Sequence, residues 1–277
     1  MDYKRILTVQ DISCLGQCSM TVAMPILSAC GHETCILPSA VLSTHTGGFK
    51  GFTFRDLTDD FPGIIEHWKT EGIGFEAVYT GYLGNPAQVS HVGRIVSELL
   101  SADGCFIVDP AMADNGKLYY GFDDIYVAAM RELCAKADVI LPNVTEACFL
   151  TGTEYRESYD RAYIDGLVEK LLELGAESIV LTGVSFDKES TGVFVWENGE
   201  GRHYRHARIP QSFHGTGDIY SSAFAGMLMS GRDTYESARL AADFTVKCIE
   251  NTVGDEKHWY GVKFEPCLGM LTGQLEK

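Results

Sequence analysis

Short apolar runs and longer amphipathic stretches alternate along the chain. Ile6–Val9, Thr34–Leu37, Ala77–Thr80, Cys105–Val108, Val139–Leu141 and Ser178–Thr182 are brief, largely apolar and rich in β-formers, which predicts buried strands. Helical spacing predicts helices from Ser19 or Thr21 to Ala29, Leu57 to Glu71, Pro86 to about Ser101, Asp124 to Lys136, Thr145 to Leu150 and Asp160 to Leu174. Gly31, Gly72, Gly152 and Gly175 stop four of them. Thr191–Trp196 and Arg202–His206 alternate around Glu197–Gly201, as a β-hairpin does. Two more helices follow, one through the small and apolar residues Ile219–Leu228 and one from Thr234 to about Thr252. From Gly254 onward the pattern is irregular. Strand, helix and strand in repetition imply a parallel sheet. The expectation is one domain over residues 1–277, an α/β fold of three α/β/α layers around a mostly parallel sheet. No repeat, low-complexity tract or linker interrupts it.

Ser39–Phe54 departs from this pattern. Glycines, hydroxyls and three phenylalanines follow one another with no helical period, directly after a strand. A long surface loop or small hairpin would read this way, but three aromatic rings in a Gly-rich loop need something to cover. A flap over a substrate is the preferred reading. Asp11, His45, Gly81, Asp109, Asn143 and Gly183 each follow the end of an apolar strand. In a parallel sheet those ends lie along one edge, so the six residues converge on one crevice.

Composition narrows the partners. With 45% hydrophobic residues in 277, there is enough apolar side chain for a large core. The net charge of −16 argues against nucleic acid and against an anionic membrane surface. No apolar run has the length of a membrane span. Met1–Ile6 leads straight into a strand-like run, so no signal peptide is expected and the expected location is the cytoplasm. The nine cysteines include no C-x-x-C pair and lie mostly in apolar runs, which suits reduced core thiols. Cys14 and Cys18 are exceptions, in a Gly-containing loop that would face a ligand. An anionic nucleotide bound by so acidic a chain needs local N–H groups, cations or metal ions.

One stretch supplies the N–H groups. Gly215-Thr216-Gly217-Asp218 is a tight turn feeding a buried helix. Unpaired N–H groups at such a helix start, with the positive end of its dipole, make an anion site. Asp218 in the first turn is then either a helix cap or a base set beside the anion. Asp109, Asp114 and Glu146, with Asn143 near them, are hard oxygen donors at two strand ends. Each alone reads as a cap or turn residue; with the anion site they read together as a Mg²⁺–phosphate locus. Lys117 reads as an exposed loop lysine. No nicotinamide fingerprint, P-loop or Gly-x-Ser-x-Gly elbow occurs. His32, His67, His91, His203, His206 and His258 show no ligand spacing and read as surface or structural residues.

Gly215-Thr216-Gly217-Asp218 resembles the anion-hole motif of the ribokinase superfamily. Val9-Gln10-Asp11 through Gly16, Ser43–Gly47, Thr80–Gly84, Asp109–Asp114 and Pro142–Glu146 are similar, in order, to the motif set of pyridoxal kinases. The resemblance covers nearly the whole chain. It implies a ribokinase-like homodimer that uses ATP and Mg²⁺ to phosphorylate the 5′-hydroxymethyl group of a B6 vitamer, with a monovalent cation such as K⁺ also compatible. It implies Asp218 as base, with Gly215, Thr216 and Gly217 holding the transferring phosphoryl group. Asp109, Asp114, Asn143 and Glu146 would order metal, waters and phosphates, with Glu146 and Asp109 nearest the metal. Thr182 and Gly183 would lie along the nucleotide, and Ile209 and Phe213 beside adenine. Thr46 and Tyr82 would face the pyridine ring, with His45 close to them.

Two positions depart from the family pattern. Asp11 stands where a serine is usual, and an acid there would pair with a pyridinium nitrogen or a cationic amine. Ala113 replaces a usual glycine before Asp114. The alternatives are a hydroxymethylpyrimidine (phosphate) kinase of the same superfamily, or a catalytically inactive vitamer-binding protein, against which the intact Asp218 and glycines argue.

Overall fold

The computed structural model describes residues 3–275, so the first two residues of the Met1–Ile6 run lie outside it. The chain runs β1 (Arg5–Ser13), α1 (Met20–Ala29), β2 (Glu33–Leu42), β3 (Phe54–Asp56), α2 (Phe61–Thr70), β4 (Phe75–Thr80), α3 (Pro86–Leu99) and β5 (Leu100–Val108). A two-strand loop hairpin, β6 (Ala113–Asp114) and β7 (Lys117–Leu118), precedes α4 (Asp124–Cys134), β8 (Val139–Ile140), α5 (Val144–Thr151) and α6 (Arg161–Glu173). Then come β9 (Ser178–Val184), β10 (Ser190–Glu197), β11 (Glu200–Ala207), α7 (Thr216–Met229), α8 (Thr234–Thr252) and α9 (Gly269–Thr272).

Nine strands form one sheet in the order β11-β10-β9-β8-β5-β4-β1-β2-β3. The six from β9 to β2 pair in parallel, as the strand–helix alternation requires. Both edges are antiparallel, through β3 on one side and the β10–β11 hairpin on the other. Alternation along each central strand feeds two cores. Leu7, Val78, Phe106 and Leu181 point to the layer of α2 to α6. Ile6, Tyr79, Ile107 and Val180 point to the layer of α1, α7 and α8. This is the expected three-layer sandwich. No helix among the described residues is long and apolar enough to cross a membrane.

Two stretches differ from the sequence expectation. The Ser39–Phe54 stretch is shorter as a loop, because Ser39–Leu42 extends β2 and Phe54 begins β3; Leu42 pairs with Phe54 across its base. The region after Gly254 is not featureless. It makes short helical turns at Glu256–His258 and Glu265–Cys267, and buries Val262, Phe264, Cys267 and Leu271 in the α7–α8 core. Its apolar residues are too sparse to show a period, yet each reaches a core built by distant elements.

The helix α7 is buried almost throughout, so its position is set by packing. Phe224, fully buried at its centre, should tolerate truncation poorly: Phe224→Ala is expected to cost about 3–5 kcal/mol, read as a lowered midpoint in urea unfolding.

Candidate active site

Gly215 is the N-cap of α7, at φ 78° and ψ 3°. That left-handed geometry suits glycine, and a Cβ there would lie 1.6 Å from the carbonyl oxygen of Gln17. No side chain caps the helix. Asp218 is its third residue and therefore not the N-cap. The N–H groups of the first turn are left for a ligand, at the positive end of a helix of 14 residues.

Asp218 faces the loop between β1 and α1. Its carboxylate accepts the backbone N–H of Ser19. Loss of solvent, followed by the nearby charges of Asp109 and Asp11, pushes its pKa up to about 7. Ser19 is the N-cap of α1 by position, but it holds φ 52° and makes no side-chain cap. Its hydroxyl bonds Asp11 instead. Thr21 does not cap either; its hydroxyl donates to the carbonyls of Gly16 and Cys18. A non-glycine residue in this conformation is strained, and here the strain turns both polar groups of Ser19 toward acids of the site.

A cleft of about 580 Å³ opens beside this turn. Asp109, Asp114, Asn143, Glu146, Thr182, Gly183, Phe213 and Gly215 to Asp218 all line it. Sequence reasoning named every one of these. The parallel sheet brings them together: Asp109 follows β5, Asn143 follows β8 and Thr182 follows the buried run Ile179–Leu181 of β9, with Asn143 bridged to Thr182. His206, read from sequence as structural, also lines the cleft, as does His214. Lys117 is exposed on β7 and does not.

Asn143 and Glu146 form a reciprocal capping box at the start of α5. Glu146 also accepts the N–H of Met112 at 2.9 Å, so one carboxylate stitches the loop after β5 to the loop after β8. The Asn143 side chain donates to the carbonyl of Ala113. Asp114 is exposed and bonds Asn115. Asp109 accepts the N–H of Ala111 and, at 2.7 Å, the hydroxyl of Ser221 from α7. Burial raises the pKa of both Asp109 and Glu146, and the charge of Asp109 raises Glu146 further. Ser221 and Ser19 were missed in the sequence, where a serine inside a helix and one at a helix start carry no signal.

No lysine or arginine lines the cleft. An anion entering it would meet the α7 N–H groups and any cation bound beside the carboxylates. Among the described residues no three His, Cys, Asp or Glu side chains converge into a ready cage. Two mutually repelling carboxylates lining an open cleft fit Mg²⁺, which takes few protein ligands and keeps waters and phosphate oxygens.

Asp11, His45, Thr46 and Tyr82 lie outside that cleft. Asp11 is buried and accepts Ser13 Oγ at 2.9 Å. Burial raises its pKa. Its charge raises the pKa of Cys18, Tyr82 and Asp218, so it lies near all three. Tyr82 stacks on Phe122. Thr46 is exposed on the flap. His45 is buried with both ring nitrogens on backbone groups: Nε2 donates to the carbonyl of Tyr260, and Nδ1 accepts the N–H of Gly47. Ile209 is half-buried and does not line the cleft, while Phe213, four residues on, does.

A family model described as phosphomethylpyrimidine kinase matches residues 59–262. A Bacteroides thetaiotaomicron protein with a provisional phosphomethylpyrimidine kinase description, solved with pyridoxal, is 36% identical. The match covers 98% of this chain and 96% of that one, at a TM-score of 0.91. The pyridoxal kinase of Lactobacillus plantarum is 30% identical over 99% of each chain, at a TM-score of 0.92. The pyridoxine/pyridoxal/pyridoxamine kinase of Bordetella bronchiseptica is 27% identical over 89% of each. The chain belongs to the family of phosphomethylpyrimidine and pyridoxal kinases, with the ribokinase-like fold.

Proposed function

We propose that this protein transfers the γ-phosphoryl group of ATP to the 5′-hydroxymethyl group of a B6 vitamer (pyridoxal, pyridoxamine or pyridoxine), giving the 5′-phosphate and ADP. The observation that carries it is the position of Asp218. It stands in the first turn of the uncapped α7, in the cleft with Asp109 and near enough to Asp11 to feel its charge. A hydroxyl placed there meets a base on one side and an anion hole on the other. Asp218 takes the proton as the oxygen attacks phosphorus, and a pKa near 7 suits that task. The N–H groups of Gly215, Thr216 and Gly217 meet the charge on the transferring group. Thr182, Gly183 and Phe213 line the nucleotide side, with Ile209 set beyond the rim. Asp109, Asp114, Asn143 and Glu146 would hold Mg²⁺ with its waters. The bound ion would supply positive charge to offset that of the phosphates.

Asp11, Thr46 and Tyr82 would face the vitamer ring. The whole chain acts as one kinase unit. Its nine cysteines are all free, which fits the cytoplasm. Met24, Ile36 and Phe54 leave apolar side chains exposed on α1, β2 and the edge strand β3, where a second copy would cover them in a homodimer. The matching family model carries a pyrimidine name, so hydroxymethylpyrimidine is the rival acceptor. ATP turnover measured separately with pyridoxal, pyridoxamine, pyridoxine and hydroxymethylpyrimidine decides between them: turnover with the pyrimidine alone would sink the vitamer reading.

Asp218→Asn is expected to lower kcat roughly 10²–10⁴-fold while pyridoxal still binds by calorimetry. In the wild-type enzyme kcat/KM should fall on the acid side of about pH 7, as Asp218 is protonated. The same group has an opposite effect on stability. Its folded pKa lies above that of an unfolded aspartate, so the folded state binds more protons and loses stability as pH rises from about 4 to 7. Asp218→Asn should therefore raise Tm by roughly 5–15 °C at pH 8 and leave it nearly unchanged near pH 4, as read by calorimetric scans at both pH values.

A further inference from the structure

Four loops meet on one side of Asp218. They are the β1–α1 loop, the flap after β2, the residues before α7, and the segment after α8. His45 stands at their junction. It is neutral, since Nδ1 accepts the Gly47 N–H at 3.1 Å and Nε2 donates to the Tyr260 carbonyl at 2.6 Å. Its own N–H donates to the carbonyl of Leu15. Its ring lies 5.0 Å from Phe49 and 5.3 Å from His214. Phe49 in turn packs on Trp259 at 4.7 Å. Gly47 presses on His214 so closely that a Cβ would come within 2.5 Å of the ring.

The segment that receives the flap is itself anchored. Lys263 pairs with Asp255, and its N–H donates to Thr252 Oγ1 at the end of α8. Asn251 donates to the Lys263 carbonyl, and Gln17 to Glu265. His214 immediately precedes Gly215 and lines the nucleotide cleft. The flap therefore rests on a fixed support and on a wall of the ATP site at once.

We propose that His45 is a positioning residue. With Trp259 and the Tyr260 carbonyl it clasps the flap, through His214, onto the anion-hole loop, so that acceptor and nucleotide bind cooperatively. The coupling rests on the proposed kinase function, but the clasp does not. Order in the flap on binding one substrate lowers the entropy cost of binding the other.

Two variants separate a clasp from a merely structural histidine. His45→Gln keeps a donor at the Nε2 position, within reach of the Tyr260 carbonyl. His45→Asn is too short to reach it. Hydrogen exchange of the ligand-free protein should show faster exchange over residues 43–53 in His45→Asn and Trp259→Ala, and near wild-type exchange in His45→Gln. This needs no substrate and so stands apart from the vitamer reading. In calorimetry, pyridoxal should tighten a non-hydrolysable ATP analogue about tenfold in the wild type and His45→Gln, and less than about twofold in the other two. Nucleotide affinity without pyridoxal should be the same in all four. Unchanged flap exchange in His45→Asn and Trp259→Ala would overturn the clasp. Equal tightening in all four proteins, or none in a wild type that binds pyridoxal, would overturn the coupling. A wild type that binds no pyridoxal would also overturn it, and with it the vitamer assignment, leaving the exchange result to stand for the clasp.

Discussion

Gly215 holds a left-handed backbone against the carbonyl of Gln17, with no room for a Cβ between them. Everything at the site depends on that contact. It locks the start of α7 to the β1–α1 loop, which brings the Ser19 N–H onto Asp218. It also leaves the helix without a side-chain cap, so its first N–H groups remain available. A serine or aspartate cap would have satisfied the helix and filled the anion hole.

The second constraint is electrostatic. The charges of Asp109 and Asp11 raise the pKa of Asp218, and that of Asp109 raises Glu146. No lysine or arginine enters the cleft to relieve them. Folding sets this repulsion against the packing of two large apolar cores; in the proposed function a cation at Asp109 and Glu146 and a hydroxyl proton at Asp218 would relieve it. The chain's strongly negative total charge is in keeping with such a site. Phosphates held as proposed, by backbone dipoles and a metal, would need no basic surface.

Much of this was legible in the sequence because parallel α/β sheets are regular. Strands with apolar runs must be buried on both faces, and their following residues must fall along one edge. Asp109, Asn143 and Gly183 could be assigned to one crevice on that ground, though Asp11, His45 and Gly81, assigned with them, do not line it. What escaped were residues whose role comes from contacts across the chain. Ser221 is one small residue among many in α7 until Asp109 is placed against it. Ser19 looks like a helix cap until its left-handed backbone turns it to Asp11 and Asp218. The segment after Gly254 has no period, yet it supplies the carbonyl that His45 needs.

The sequence by itself determined the layers, the sheet's parallel centre and the chemistry available at its edge, because hydrophobic period and turn residues act locally. It also contained the ordered motifs that resemble one kinase family. Only the tertiary structure decided that Gly215, not Asp218, caps α7, that Glu146 is bound to two loops' backbones, and that His45 faces a distant carbonyl with both nitrogens engaged. Those outcomes depend on which loops end up a few ångströms apart, and spacing along a chain does not encode that distance.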